Sequence, residues 1–377
     1  MTSHGRGGLA AFRRILIIKP SSLGDIVHAL PVLAALRTAC PRAHIAWLAG
    51  TAFVPLLDGH PLLNEVIAFD RRRFGRMLHN LRAARDFLHF LVYIRRLRFD
   101  LVIDLQGLFR SGFIAWASGA PHRVGFARAR ELAPLFYTQH VSCPRDLHHA
   151  VEKNLHLASA LGLPVAPPTT SADRSAVPFP LGLTDTERRA AAERLAHAAG
   201  KPLERFLAIV PGGRWPSKLW LSDYWAQLIT RLQTEDAATC VLLGGADDRA
   251  YADRILADCT SPPIDLVGQT TLRELVALLD LSAGVVCHDS GPMHLAAALG
   301  KPLVALFGPT DPKLIGPYHP QARVVAAGVP CAPCYRRICP LDHHACMQNI
   351  TVDAVLASVR EMLPSAPQPA PASDAQT

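Results

Sequence analysis

Short apolar runs rich in β-branched residues recur along the chain, each closed by turn residues and followed by apolar positions at helical spacing. The first, Arg14 to Lys19, reads RILIIK; the turn PSSLGD follows, then IVHALPVLAALRTAC, a helix that Pro31 either kinks or truly begins. His44 to Ala49, Glu65 to Phe69, Asp100 to Asp104 and Arg123 to Phe126 predict further strands, that at Asp100 running into the turn LQGLFRSG. From Leu161 to Leu183 the composition turns to Pro, Ala, Ser and Thr, as in a linker. A second series then begins: strand Phe206 to Val210 with the turn PGGRWPSKLW, helix Tyr224 to Leu232, strand Cys240 to Leu243 with GGADD, and helix Arg249 to Ala257. Strand Ile264 to Val267 and helix Leu272 to Leu281 continue it, and Val352 to Leu363 makes a last helix. Two βαβ series joined by a linker predict an α/β protein with two Rossmann-like domains facing across a cleft. The expected division is residues 1–170, a linker 171–183, a second domain 184–363 and a disordered tail 364–377.

The stretch from Val285 to Pro312, VVCHDSGPMHLAAALGKPLVALFGPTDP, concentrates the chemistry. A buried strand ends at His288 and Asp289, a Ser-Gly-Pro turn follows, and Met293 to Leu299 is helical. Leu303 to Phe307 reads as the neighbouring strand, closed by a turn from Gly308 to Pro312. Two loops therefore meet at the carboxyl edge of adjacent parallel strands, where open α/β sheets bind ligands and a helix N-terminus offers free N–H groups to an anion. Gly291 allows close backbone approach, Ser290 can donate its hydroxyl, and His294 sits in the first turn. The pattern suits a diphosphate, although Ser290 as a helix cap and His294 as a core residue would look the same.

At 377 residues and 50% apolar composition the chain can fill two cores, and no apolar run reaches the length of a membrane span. The N-terminus lacks the apolar region of a signal peptide, so a cytoplasmic protein is expected. The net charge of +8 points to anionic partners. Nine arginines against one acid, Asp86, lie between Arg71 and Arg98, interleaved with Phe87, Phe90, Tyr93 and other apolar residues. Such a basic amphipathic segment can lie on an anionic membrane surface or can be a solvated helix face. No helix-turn-helix, finger or RNA-binding motif is present, so nucleic acid is not an expected partner. The first turn also lacks the G-x-G-x-x-G fingerprint, which argues against hydride transfer.

Of nine cysteines, Cys331, Cys334, Cys339 and Cys346 cluster with C-x2-C-x4-C-x6-C spacing around His343 and His344. That spacing can bind zinc or an iron–sulfur cluster, but it lacks the long separation usual between two knuckles.

KPSSLGDIVHALP, DLQGLFRSG, PGGRWPSKLW and DSGPMHLAAALGKPLVALFGPTDP, in this order, closely resemble the bacterial lipopolysaccharide heptosyltransferases of glycosyltransferase family 9, over nearly the whole chain from Arg14 to Leu363. The resemblance implies a GT-B fold with an N-terminal acceptor domain and a C-terminal donor domain. It implies transfer of L-glycero-D-manno-heptose from ADP-heptose to Kdo-lipid A or to a heptosylated core, with inversion, without an essential metal or other cofactor, and at the inner face of the inner membrane. A D-x-D triplet, which chelates a metal diphosphate in other glycosyltransferases, is absent.

By the same resemblance Asp25 is the base, although an aspartate there can also cap a helix. Lys19, Ser21 and Ser22 line its turn and Gly24 permits it. Lys218 matches the family's lysine at the diphosphate, with Gly212 turning the chain and Arg214 as a second cation. Asp289, Ser290, Gly291 and His294, with Thr310 in the neighbouring turn, make the donor site, Asp289 serving the sugar hydroxyls. Asp247 or Asp248 would accept from the ribose. Gln106, Arg110 and Arg123 would face the acceptor, the arginines pairing with carboxylates or phosphates, and the Arg71 to Arg98 segment would grip the phosphates of lipid A. A family 9 transferase using another nucleotide sugar is the nearest alternative. A non-catalytic nucleotide-sugar binding protein is a more distant one, disfavoured because Asp25 and Lys218 are both present.

Overall fold

β-Branched runs with no polar interruption can be buried on both faces, as a parallel sheet covered by helices requires. In the computed structural model, which describes residues 11–76, 79–170 and 172–363, such runs build two six-stranded parallel sheets. The first contains β1 (Arg14–Ile18), β2 (His44–Gly50), β3 (Glu65–Phe69), β4 (Leu101–Asp104), β5 (His122–Phe126) and β6 (Gln139–Val141), in the order β3-β2-β1-β4-β5-β6. The second contains β7 (Leu207–Val210), β8 (Cys240–Leu242), β9 (Ile264–Asp265), β10 (Gly284–His288), β11 (Leu303–Phe307) and β12 (Arg323–Ala326), in the order β12-β11-β10-β7-β8-β9.

The two orders are the same, read from opposite edges. In each, the first strand of the series lies between the second and the fourth, so the chain reverses direction across the sheet between β1 and β4 and again between β7 and β10. Loops leaving the carboxyl ends of such a strand pair diverge and open a crevice. Ile15 to Ile18 and all of β10 and β11 are buried.

The helices that matter here are α1 (Leu23–Val27), α2 (Leu30–Ala39), α3 (Leu81–Arg96), α4 (Phe109–Ala117), α5 (Ala150–Ala160), α6 (Asp185–Ala199), α7 (Ser222–Thr234), α8 (Arg249–Asp258), α9 (Leu272–Leu281), α10 (Gly291–Ala298) and α11 (Val352–Met362). Pro31 is in the first turn of α2 and separates it from α1, so it marks a true start rather than a kink. α3 buries Ala83, Phe87, Phe90 and Ile94, one stripe at helical spacing, against the first sheet.

Helices α5 and α6 and the edge strands β6 and β12 add to the elements expected from sequence. α6 buries only Ala191 and Leu195, too sparse an apolar stripe to register as a period. Its ends are nonetheless written in the sequence. Thr184 and Glu187 form a capping box, with Thr184 N donating to Glu187 Oε2 at 2.8 Å, and Gly200 closes the helix at φ +70°. The expected disordered tail, 364–377, lies outside the described residues.

The chain between the sheets is tied down by Arg273 on α9. Its guanidinium donates to both Glu187 oxygens at 2.6 and 2.7 Å and to the carbonyls of Leu181 at 2.7 Å and Gly182 at 2.8 Å. His60 Nε2 donates to the Pro180 carbonyl at 2.9 Å from the N-terminal side. The hydrogen bonds from Arg273 hold the Glu187 carboxyl down at about 2 against an ordinary 4.5. A depressed carboxylate contributes stability above its unfolded value and loses it as pH falls through the folded one. Arg273→Ala should therefore lower the unfolding free energy by about 2 kcal/mol near neutral pH. Urea titrations should show that deficit shrinking as pH falls from 4.5 toward 2.

Candidate active site

All four loops at the two crevices carry chemistry, and they face one another. After β1, Lys19 is buried; its Nζ donates to the Leu105 carbonyl at 2.8 Å and lies 3.6 Å from Asp25 Oδ1. The other carboxylate oxygen, Oδ2, accepts from the Ser22 N–H at 2.7 Å and the Ser22 hydroxyl at 2.8 Å. Asp25 thus fastens the start of α1 with one oxygen and faces Lys19 with the other. Burial works to raise its carboxyl, but Lys19 and the two Ser22 donors outweigh burial and hold it below the usual 3.8. At neutral pH it is a carboxylate.

After β4, Asp104 is fully buried and turns the chain, accepting from the N–H groups of Gln106 at 2.9 Å and Gly107 at 3.1 Å and from the Tyr137 hydroxyl at 2.7 Å. That turn carries Gln106, whose buried Oε1 has no hydrogen-bond partner. Arg110, in the first turn of α4, is exposed. Arg123 departs from the expectation. It is the second residue of β5, opposite Val102 rather than at the carboxyl end. Its guanidinium is committed to the carbonyls of Phe136 at 2.8 Å and Ala120 at 2.6 Å. It braces a loop and does not line the cleft.

After β7, Gly212 is required because an added Cβ would lie 2.3 Å from Asp248 Cγ. Asp248 is turned inward, accepting from the Gly245 N–H at 2.9 Å, while Asp247 beside it is exposed. Of the two acids considered for the ribose, Asp247 is the more exposed. Arg214 reaches over the Phe53 ring of the opposite domain at 5.8 Å. Lys218 Nζ lies 4.8 Å over the Trp215 ring and donates to Asp289 Oδ2 at 2.5 Å. The same oxygen accepts from Thr310 Oγ1 at 2.6 Å. Asp289 Oδ2 is therefore engaged, as the anchor that aims Lys218 and Thr310.

After β10, Ser290 precedes α10 with its buried hydroxyl unpartnered. A buried hydroxyl without a partner costs free energy unless a ligand satisfies it. Gly291 has a second use that the sequence did not suggest: an added Cβ would lie 2.6 Å from Leu23 Cδ2 of the other domain. Gly24 is its counterpart, where an added Cβ would lie 2.2 Å from His294 Cδ2. Two glycines, one on each helix, thus let α1 and α10 touch across the cleft.

At that contact His294 Nδ1 lies 2.9 Å from Nε2 of His28, whose ring packs edge-on against it at 4.4 Å and against His149 at 5.1 Å. Asn154 Nδ2 donates to the His28 carbonyl at 3.0 Å, and the His149 ring donates from Nε2 to the Gly316 carbonyl at 3.0 Å. Burial pushes all three rings down: His28 well below 6.5, His294 below it despite Asp289 and Asp25, and His149 to about 4. The rings are neutral, so one of His28 and His294 donates to the other. His28 was missed in the sequence because a histidine inside an apolar helix segment looks like any core residue.

The cysteine-rich segment belongs to the site's support. Cys331, Cys334, Cys339 and Cys346 line one small cavity with His343 and His344. Yet among the described residues no three His, Cys, Asp or Glu side chains are arranged to hold a metal ion, so the zinc or iron–sulfur reading of the spacing finds no ligand set. The segment instead clamps the turn that carries Lys218. Ser217 Oγ donates to the Arg336 carbonyl at 2.6 Å, and the His344 ring donates to the Ser217 carbonyl at 2.8 Å.

Two Rossmann-like domains with paired crevices, a carboxylate on one side and a lysine, a free hydroxyl and a helix N-terminus on the other, define a glycosyltransferase of the GT-B type. The sequence pattern of glycosyltransferase family 9 (heptosyltransferase) matches residues 88–345. Lipopolysaccharide heptosyltransferase 1 of Pseudomonas aeruginosa is 31% identical over 330 residues, 86% of this chain and 87% of that protein. Among solved structures, E. coli ADP-heptose LPS heptosyltransferase II superposes with a TM-score of 0.72 at 27% identity, covering 93% of this chain and 98% of that one. The E. coli heptosyltransferase WaaC with ADP gives 0.72 at 25% identity, covering 93% and 99%. The chain belongs to glycosyltransferase family 9, the heptosyltransferases.

Two outcomes follow from the contact of α1 and α10. Gly24→Ala must push His294 and α10 away, so transferase turnover should fall roughly hundredfold, as a misplacement of about 1 Å does, while thermal unfolding shows a folded protein. Because an unfolded histidine takes up a proton below 6.5 and the three buried rings resist it, stability should fall as pH drops from about 7.5 to 5.5. Urea titrations at the two values measure the loss, which should be smaller in His28→Asn.

Proposed function

We propose that this enzyme transfers L-glycero-D-manno-heptose from ADP-heptose to the inner core of lipopolysaccharide, either to Kdo-lipid A or to the first heptose, with inversion and without a metal. The observation that carries this reading is the facing pair of Asp25 and the Lys218–Asp289–Thr310 group across a contact between domains. Relatives named for lipopolysaccharide heptosyl transfer, and a neighbour solved with ADP, support it.

In this reading the acceptor hydroxyl attacks the anomeric carbon from the side of the N-terminal domain. Its proton passes to Asp25 Oδ1, the oxygen not engaged by Ser22, as the bond from the anomeric carbon to the diphosphate oxygen breaks. The leaving ADP takes the electron pair. Lys218, the Ser290 hydroxyl and the N–H groups opening α10 stabilise the charge, and Asp247 accepts from the ribose. A carboxylate held low is a weak base when the cleft is empty. A diphosphate competing for the surrounding cations raises it, so the base strengthens when donor is bound.

On the acceptor side Gln106 and Arg110 meet the sugar acid, with Lys19 and Ser21 shaping the turn beneath. The arginines from Arg71 to Arg98 grip the phosphates of lipid A and hold the enzyme against an anionic membrane.

The test is turnover of ADP-heptose with Kdo-lipid A and, separately, with a heptosylated acceptor, in the presence of chelator. Wild type should turn over one of them. Asp25→Asn should lose at least roughly hundredfold in kcat while its ADP affinity, by calorimetry, stays within about twofold. Lys218→Ala should weaken ADP binding itself. Failure of both acceptors in a folded protein that binds ADP would overturn the reading. Loss of activity only with chelator would overturn its metal independence.

A further inference from the structure

One proton shared between the domains decides what His294 can offer a ligand. His28, which closes α1, and His294, in the first turn of α10, are both buried. Their rings stand edge-on at 4.4 Å, with Nε2 of the first 2.9 Å from Nδ1 of the second. Burial keeps both neutral, so a single proton lies between those two nitrogens. Two arrangements satisfy the contact. In one, His294 donates from Nδ1 and keeps a lone pair at Nε2. In the other, His28 donates from Nε2, and His294 carries its own proton on Nε2.

The surroundings choose between them. The Cδ2–Nε2 edge of His294 lies over Gly24, where an added Cβ would be 2.2 Å from Cδ2 and 2.7 Å from Nε2. The next residue is Asp25. Asp289 and Asp25 act on this ring as negative charges, each more strongly than Lys218 acts as a positive one. A neutral imidazole beside carboxylates is favoured with an N–H on the edge that meets them, so Nε2 is the protonated nitrogen. Nδ1 is then an acceptor, and His28 is its donor. His28 is itself held in place. Asn154 Nδ2 donates to its carbonyl at 3.0 Å. His149 packs edge-on at 5.1 Å with both ring nitrogens occupied, Nδ1 accepting from the Val151 N–H at 3.2 Å and Nε2 donating to the Gly316 carbonyl at 3.0 Å. His149 therefore gives His28 a wall and no proton.

We infer that His28 is a positioning residue for transfer: it donates to His294 Nδ1, fixes His294 as the Nε2–H tautomer, and so makes that ring a hydrogen-bond donor to the leaving diphosphate. The diphosphate rests on the proposed function; the tautomer does not. The opposite tautomer would set a lone pair against a diphosphate oxygen and repel it as its charge grows. His28 belongs to the N-terminal domain and His294 to the C-terminal one, so the donor is in place only while α1 and α10 touch.

The test uses the full chain with isotopically labelled histidine, read by nitrogen magnetic resonance, with His294→Gln to assign the ring. In wild type, Nε2 of His294 should be protonated and Nδ1 unprotonated, with a coupling across the hydrogen bond to a protonated Nε2 of His28. Added ADP should shift the His294 Nε2–H resonance. His28→Leu removes the donor at similar volume, whereas His28→Gln keeps an N–H at similar reach. The Leu variant should mix the two His294 tautomers. Its kcat should fall at least roughly tenfold while KM for ADP-heptose stays within about threefold, because the N–H acts most on charge that develops in the transition state. The Gln variant should recover the tautomer and most of kcat. Protonation at His294 Nδ1 in wild type, a doubly protonated ring, or no shift with ADP bound would overturn the inference. So would a Leu variant with tautomer and kcat unchanged, or a Gln variant as slow as the Leu variant, which would reduce His28 to packing. If the Leu variant fails to fold, the wild-type and Gln spectra still decide. A wild type with the assigned tautomer and the ADP shift that turns over neither acceptor would sink the proposed function and leave this inference standing.

Discussion

The site exists only where two helices from different domains touch, and that touch depends on the hydrogen bond between His28 and His294. Each Rossmann-like domain alone has an ordinary crevice, with Lys19 and Asp25 in one and Lys218, Asp289 and Ser290 in the other. Gly24 and Gly291 remove the side chains that would keep α1 and α10 apart. The histidine pair then fills the contact with a buried polar link at 2.9 Å, which holds only if both rings meet in one geometry. His294 of the C-terminal domain thereby answers to the position of the N-terminal domain.

The same constraint orders the charges. Asp289 is spent on Lys218 and Thr310, and one oxygen of Asp25 on Ser22, so each acid aims something else as well as itself. Among the buried polar atoms left unpartnered are the hydroxyl of Ser290 on one side and the amide oxygen of Gln106 on the other. The cysteine-rich segment holds the Lys218 turn from behind, and Trp220 N donates to His288 Nε2 at 2.8 Å, fastening that turn to the end of β10.

Much of this was legible in the sequence. Strands buried on both faces announce themselves as unbroken apolar runs, and the turns that close β1, β7 and β10 carry residues with few other uses. What was not legible had physical reasons. α6 hid because a helix that buries two residues has almost no period, and β12 because its alternate residues are exposed. Arg123 was misplaced because an arginine near a strand looks the same whether it faces a ligand or two carbonyls. The ion pair of Asp289 with Lys218 was hidden because the two are distant in sequence. The pairing of His28 with His294 spans 266 residues and two domains, and no local pattern encodes it.

The most direct measurement is a double-mutant cycle on kcat/KM for transfer, using His28→Ala, His294→Ala and the pair. If the contact makes two crevices into one site, the two losses will fail to add by more than about 1 kcal/mol, as for residues sharing one hydrogen bond. Losses that add within about 0.5 kcal/mol would mean that the histidines act separately and that the domains do not depend on this link.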